Sequence, residues 1–82
     1  MDSTDRSAAT TDLQLGEAVW IARDRSGMTQ AKLASRLHVS RSQVANIEGG
    51  RFAPSIQTLE EIARALNVTF STDGWTWRVG DA

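Results

Sequence analysis

Cysteine is absent from this 82-residue chain, and proline and histidine occur only once each. Without cysteine the chain can form no disulfide and no thiolate metal site, as is usual for proteins of a reducing cytoplasm. The longest apolar run, Ala18 to Ala22, has five residues, whereas a membrane-spanning helix needs about 20. The N-terminus has no apolar signal segment either. We therefore expect one small cytoplasmic domain that does not enter a membrane.

Few side chains are suited to catalysis or to cofactor binding. The sequence contains one histidine, no glycine-rich phosphate loop and no carboxylate cluster with the spacing of metal ligands. The single histidine, His38, follows a helical pattern and is interpreted most simply as the residue that ends a helix. We expect no enzymatic activity, no bound metal and no cofactor.

The formal net charge of −1 is low for a protein that binds nucleic acid, because phosphate neutralisation requires basic residues. The charges are unevenly distributed, however. The segment from Arg23 to Arg51 contains six basic and two acidic residues, so it carries +4 and leaves −5 for the rest of the chain. This distribution remains compatible with DNA binding, and it predicts weak non-specific binding.

The segment from Thr29 to Glu48 has the pattern of two short helices joined by a tight turn. Thr29 is placed as the N-cap of the first helix, and Ser40 as the N-cap of the second. Between the two helices, His38-Val39 interrupts the apolar periodicity. The spacing is that of a helix-turn-helix.

The second of these helices has one apolar face and one polar face. Val44 and Ile47 are three residues apart and share the apolar face. The opposite face carries polar side chains of short to medium length: Arg41, Ser42, Gln43 and Asn46. Asparagine and glutamine can form paired hydrogen bonds to adenine, and arginine to guanine. Any solvated helix also has a polar face, but the small Ala34 at the helix crossing favours a helix that reads base edges.

Two opposite charges lie at the rims of predicted core faces. Arg23 lies at the edge of the apolar stripe of a first helix, predicted from Leu13 to about Ser26 with Asp12 as its N-cap. Glu48 lies beside the apolar face of the helix that Ser40 caps. We therefore predict an ion pair between Arg23 and Glu48. Its role would be structural, because a paired buried charge fixes helix placement more than it adds stability.

The C-terminal segment has a different pattern. A fourth helix is predicted from Ser55 to Asn67, its two cap residues. From Val68 to Val79, β-branched and aromatic residues alternate on both sides of a turn at residues 72–74, which contains Asp73-Gly74, and this predicts a strand, a turn and a strand. Trp75, Trp77 and Val79 are predicted to form one apolar row on the second strand. A lone hairpin is marginally stable in water, so we expect this segment to pack on the helices, to pair with another protomer or to bind a partner. The side chains expected to make dimer or partner contacts are Phe70, Trp75, Trp77 and Val79.

A further set of residues occurs in an order and spacing known from one family: Leu15-Gly16-Glu17, Arg23, Ser26-Gly27-Met28-Thr29-Gln30, Leu33-Ala34, Leu37-His38-Val39-Ser40, Val44, Ile47-Glu48-Gly49-Gly50-Arg51, Pro54-Ser55, and Leu59 to Val68. With these residues the chain resembles the lambda-repressor-like (Cro/XRE) helix-turn-helix domains. The main departure is His38, where that family usually has a glycine in a left-handed turn, a conformation that histidine adopts at modest cost.

The resemblance implies an all-α, lambda-repressor-like bundle of four to five short helices, here followed by a short C-terminal β-strand or hairpin. Members of this family also form the ion pair predicted above, so the resemblance supports a pair between Arg23 and Glu48. We divide the chain into a disordered N-terminal arm (residues 1–11), a helix-turn-helix DNA-binding domain (12–67) and a C-terminal β extension (68–82) for dimerisation or partner binding.

The function implied is that of a sequence-specific DNA-binding transcriptional regulator. We expect a repressor that binds a two-fold symmetric operator as a homodimer, because one module of this size covers too small a site to be specific. The expected base-reading residues are Arg41, Ser42, Gln43 and Asn46, and the expected phosphate contacts are Thr29, Gln30, Ser40 and Arg51. The alternative is an antitoxin that neutralises a toxin partner through protein contacts and represses its own operon.

Overall fold

The computed structural model describes residues 14–82. Within this range, four helices precede a hairpin of two antiparallel strands: α1 Leu15–Arg25, α2 Gln30–Leu37, α3 Arg41–Glu48, α4 Ile56–Leu66, β1 Val68–Thr72 and β2 Trp77–Asp81. The predicted fold class, a helical bundle with a C-terminal hairpin, is confirmed. The predicted N-terminal arm (residues 1–11) and the predicted cap Asp12 lie outside the described residues.

Three helices begin at a hydroxyl side chain that accepts a hydrogen bond from the first turn. Thr29 Oγ1 accepts from the backbone N–H of Lys32 at 3.0 Å, and Ser40 Oγ accepts from that of Gln43 at 3.1 Å. Ser55 caps α4 in the same way. All three caps are at the predicted positions, because capping depends on a local sequence pattern.

The predicted start of α1 was wrong by two residues. The helix begins at Leu15, and its N-cap is Gln14, whose backbone is extended. The backbone N–H of Gln14 donates to the Glu17 carboxylate at 2.9 Å. Glu17 lies three residues after Gln14, which is the spacing of a capping box, and this pairing determines where the helix starts.

Two helices end at non-glycine residues in the left-handed conformation. His38 ends α2 with φ 60° and ψ 40°, and Asn67 ends α4 with φ 57° and ψ 48°. A left-handed residue turns the chain sharply after a helix, and Val39 N–H then donates to Ala34 O at 3.0 Å. Only three residues therefore separate α2 from α3, which fixes the angle at which the two helices cross.

The core is formed by apolar side chains from all four helices. Its buried members are Val19, Ala22, Leu33, Ala34, Val44, Ile47, Leu59, Ile62 and Leu66. Burying each of the larger side chains contributes about 1.5–3 kcal/mol. The core orients each helix, and it leaves the polar face of α3 towards solvent.

The hairpin pairs within the chain and covers one side of this core. Phe70 lies opposite Val79, and Thr72 lies opposite Trp77. The side chains on its inner face that pack against the helices are Val68, Phe70, Trp77 and Val79. Because a hairpin alone is marginal, this packing accounts for its presence on a helical domain.

Trp75 does not belong to the apolar row in which we predicted it. The strand β2 begins at Trp77, and Trp75 lies in the turn with 86% of its surface exposed. Asp73 Oδ1 accepts hydrogen bonds from the backbone N–H groups of Trp75 at 2.8 Å and of Thr76 at 3.0 Å. These bonds close a four-residue loop, which is longer than the predicted turn at residues 72–74. Alternation of residue types could not show this.

Gly16 allows α1 to lie directly against the C-terminal end of α3. A Cβ atom at this position would lie 2.6 Å from the carbonyl oxygens of both Ile47 and Glu48, closer than real Cβ atoms come to backbone. Glycine is unfavourable within a helix by about 1 kcal/mol relative to alanine. Its presence inside α1 therefore reflects the close approach of the two backbones.

We expect Gly16→Ala to destabilise the domain by about 1–3 kcal/mol, because α1 and α3 must move apart. Helix propensity alone predicts the opposite sign. Denaturant titration followed by circular dichroism measures the change. Gly80→Ala is the matched control, since its Cβ would meet only the rotatable hydroxyl of Thr69, at 3.0 Å. A Gly16→Ala variant as stable as the wild type would contradict the close crossing.

Candidate nucleic-acid interface

The structure places the predicted base-reading residues on one surface of α3. Arg41, Ser42 and Asn46 are exposed, and Gln43 is half-buried at the edge of the same face. Val44 and Ile47 are buried on the opposite face. The surface therefore combines a guanidinium, a hydroxyl and two amides, groups that can form hydrogen bonds with base edges.

The predicted phosphate contacts Thr29 and Ser40 lie at the N-termini of α2 and α3. Each hydroxyl oxygen accepts a backbone hydrogen bond as an N-cap, so its own hydrogen can still be donated to another group. Helix N-termini also carry partial positive charge and attract phosphate. Both positions therefore offer donors suited to an anion.

Arg51 is exposed in the loop that follows α3. Its backbone N–H donates to Asn46 O at 2.9 Å, and its guanidinium lies against Gly49 at the C-terminal end of α3. The positive charge there complements the negative end of the helix dipole. Arg51 and Arg41 therefore place a cation at each end of the candidate reading helix.

Arg23 and Glu48 form a bidentate ion pair that joins α1 to the end of α3. Arg23 Nε donates to Glu48 Oε2 at 2.5 Å, and Nη2 donates to Oε1 at 3.1 Å. Arg23 Nη1 donates to the carbonyl oxygen of Met28 at 2.7 Å. The two side chains are only 12% and 5% exposed. The hydrogen bond to Glu48 raises the pKa of Arg23 above its ordinary value, so the charge persists in this partly buried position.

Gln30 connects this ion pair to the candidate reading face. Its Nε2 donates to Glu48 Oε1 at 3.0 Å, and its Oε1 accepts from Arg41 Nη1 at 3.2 Å. The sequence predicted Gln30 only as a phosphate contact, and no local pattern indicated these two bonds, because they depend on how α2 and α3 cross. One hydrogen of its amide is not used by them, so a phosphate contact remains compatible with this arrangement.

The described part of the chain offers neither a cluster of metal ligands nor a membrane-spanning helix. Among residues 14–82, no three histidine, aspartate or glutamate side chains are grouped so that they could hold a metal ion. No helix in that range is long and apolar enough to cross a membrane.

Comparison with known proteins identifies the family. Residues 21–72, more than half of the chain, match the family described as helix-turn-helix. The chain belongs to this family, in its lambda-repressor-like (Cro/XRE) form, as the sequence motifs predicted. An immunity repressor protein of Bacillus phage phi105 is 37% identical over 59 residues, and the competence pilus inhibition repressor of Acinetobacter baylyi is 39% identical over 59 residues. Each match covers 72% of this chain but 41% and 54% of the respective repressors, so the chain spans about half the length of these relatives.

Two solved structures show the same fold. ClgR, the clp gene regulator of C. glutamicum, has a TM-score of 0.62 at 33% identity over 63% of this chain and 67% of its own. The wild-type restriction-modification controller protein C.Esp1396I has a TM-score of 0.64 at 26% identity, over 74% of this chain and 80% of its own. Both structures support the helical bundle described above.

Removing either member of the Arg23–Glu48 pair should destabilise the domain by about 1–3 kcal/mol, because the remaining charge loses its partner in a dry environment. The double variant Arg23→Ala/Glu48→Ala should recover part of the loss. Denaturant titrations of the four proteins measure the coupling. Arg25→Ala, an exposed change on the same helix, should alter stability by no more than about 0.5 kcal/mol. Strictly additive losses would mean that the two side chains do not interact.

Proposed function

We propose that this chain binds a specific sequence of double-stranded DNA and represses transcription in the cytoplasm as a homodimer on a two-fold symmetric operator. The principal observation in support is the exposed polar face of α3, which is tied to α1 by the buried ion pair. The family and its named repressors support the same conclusion. In this proposal the chain has a binding function and no catalytic one.

The helix α3 would lie in the major groove, with its N-terminal half towards the bases. Arg41 would donate to guanine, and the amide of Gln43 or Asn46 would pair with adenine. Ser42 can donate or accept, so it would contribute less discrimination. The buried Val44 and Ile47 fix the rotation of the helix, and that rotation determines which side chains reach the DNA.

Gln30 would hold Arg41 ready for this contact. The bond from Arg41 Nη1 to Gln30 Oε1 uses one of the five guanidinium N–H donors, and the others remain available to a base. A side chain restrained before binding loses less conformational freedom when the complex forms. We therefore expect the ion pair, through Gln30, to sharpen recognition at the position that Arg41 reads.

Charge placement supports specific rather than indiscriminate binding. The Arg23–Glu48 pair withdraws one charge of each sign from the surface, so the +4 of the segment 23–51 is carried by exposed side chains. The acidic remainder of the chain opposes attachment to phosphates elsewhere on its surface. The complex should therefore depend on the correct docking of α3.

The test duplex is one that the wild-type chain enriches from random DNA. Asn46→Ala should weaken binding to this duplex by roughly 5- to 150-fold, because the substitution removes a side chain from the centre of the reading face. Fluorescence anisotropy measures the affinity, and an unchanged melting temperature verifies the fold. Thr69→Ala, an exposed polar-to-methyl change on the hairpin, is the control. Equal affinities for Asn46→Ala and the wild type would exclude this face.

Arg51→Ala should weaken binding to the enriched duplex and to a scrambled duplex by similar factors, because a phosphate contact carries no sequence information. The slope of log K against log salt concentration should fall by about one per protomer. Salt titrations of both duplexes give the two quantities. A variant that loses discrimination between the duplexes but keeps the wild-type slope would instead place Arg51 on a base.

The second candidate function is that of an antitoxin, which would bind DNA through α3 and a toxin through the hairpin. The observation in its favour is Trp75, which is 86% exposed and lies outside the helix-turn-helix. In an antitoxin, Trp75 would contact the toxin and not a second copy of this chain. A toxin gene beside this reading frame, with a product that binds the wild-type chain but not a Trp75→Ala variant, would favour this function over that of a repressor alone.

A further inference from the structure

Trp75 has the largest exposed fraction among the exposed large apolar side chains of the described residues, at 86%. Its backbone is held in place. Asp73 Oδ1 accepts from the N–H groups of Trp75 and Thr76, while Thr72 Oγ1 accepts from Gly74 N–H at 3.0 Å and donates to Thr76 O at 2.6 Å. Bonds from the Thr76 and Trp75 N–H groups lower the pKa of the Asp73 carboxyl, so they persist at neutral pH. An aromatic side chain on a fixed turn loses little entropy on binding.

An apolar groove lies beside the same turn, between α4 and the hairpin. Ile56, Leu59 and Ala63 line it from the helix, and Phe70 and Trp77 line it from the strands. Ile56 is 71% exposed at its rim. The volume is ≈ 290 Å³, below the range of about 300–1,000 Å³ usual for small-molecule pockets. The groove therefore suits one large side chain.

The groove and the strand that follows the turn carry opposite charges, whereas the turn itself carries the Asp73 carboxylate. Glu60 is the only acidic residue in the groove lining, and it is exposed on α4. Arg78 lies on β2 close to the turn, where its charge contributes to the low pKa of Asp73. Because Trp77 and Val79 face the helices, Arg78 lies on the outer face of β2, where a second molecule in contact with the turn can reach it. If the groove of a second copy received Trp75, Glu60 of that groove would approach Arg78.

We infer that two copies of this chain form a dimer in which each Trp75 enters the groove of the partner, with Arg78 beside Glu60 of the other copy. The inference rests on the proposed homodimer and names its contact surface. A second copy of the chain suits the groove because one chain carries the aromatic side chain, the groove and both charges. Within a single copy, however, Trp75 remains exposed. The exchange is reciprocal, so it generates the two-fold axis that a symmetric operator requires.

The area available indicates a dimer of modest strength. An aromatic side chain buries about 150–250 Å², and two of them with matching groove surface amount to roughly 600–1,000 Å² before the rim contributes. Stable interfaces bury about 1,200–2,000 Å² in total. We therefore expect micromolar self-association of the chain alone, and tighter association on an operator that binds both protomers at once.

Sedimentation equilibrium of the full chain without DNA tests the inference. Trp75→Ala should raise the dimer Kd by at least about 30-fold, as loss of a central aromatic contact does. Trp20→Ala, on α1 and 49% exposed, should change the Kd by no more than about twofold. Glu60→Arg and Arg78→Glu should each weaken the dimer, and the double variant should restore it to within about threefold of the wild type. Thermal melts verify that every variant is folded.

Three results would overturn the inference: a wild-type chain that stays monomeric up to about 200 µM, a dimer indifferent to Trp75→Ala, or a charge exchange that restores nothing. Binding to duplexes with one or two half-sites separates these failures from that of the proposed function. Trp75→Ala should bind a duplex with one half-site as tightly as the wild type does. It should lose the gain in affinity that the wild type obtains from a second half-site. A wild-type chain that binds neither duplex would contradict DNA recognition while leaving the dimer measurements valid.

Discussion

The bidentate pair of Arg23 and Glu48 controls the position of the helix on which DNA recognition would depend. Glu48 is the last residue of α3, and its carboxylate is bound from α1 by Arg23 and from α2 by Gln30. Gly16 lets the backbone of α1 lie against the same end of α3. A pair this buried adds little net stability, because desolvation offsets most of the attraction. Its consequence is geometric: α3 has one orientation relative to the other two helices.

This arrangement gives the domain two separate surfaces. The exposed face of α3 offers hydrogen-bonding groups that suit base edges. Arg41 lies at the N-terminus of this helix, and Gln30 links it to the buried carboxylate of Glu48. The hairpin covers the other side of the core and carries Trp75 away from it. In the account proposed here, α3 provides sequence discrimination and the hairpin provides the second protomer. Each surface can then be altered without unfolding the other.

Much of the fold could be predicted because its determinants are local or periodic. Thr29 and Ser40 are caps that short patterns reveal, and helical phase alone places the ion pair at two core rims. Tertiary contacts determine the rest. The partners of Gln30 follow from the crossing of α2 and α3, which no sequence window contains. Trp75 was misplaced because the Asp73 carboxylate forms a longer loop than residue alternation indicates. The base-reading and phosphate roles of the site residues remain predictions.

The central claim is that α3 reads DNA from a two-fold symmetric pair of protomers. Repeated selection of random duplex DNA by the full wild-type chain, followed by sequencing of the enriched pool, tests it most directly. The account predicts an inverted repeat whose half-site centres lie about 10–10.5 base pairs, or a multiple of that, apart, with guanine or adenine recurring at the positions that α3 faces. A pool that remains as diverse as the starting library after selection would contradict it.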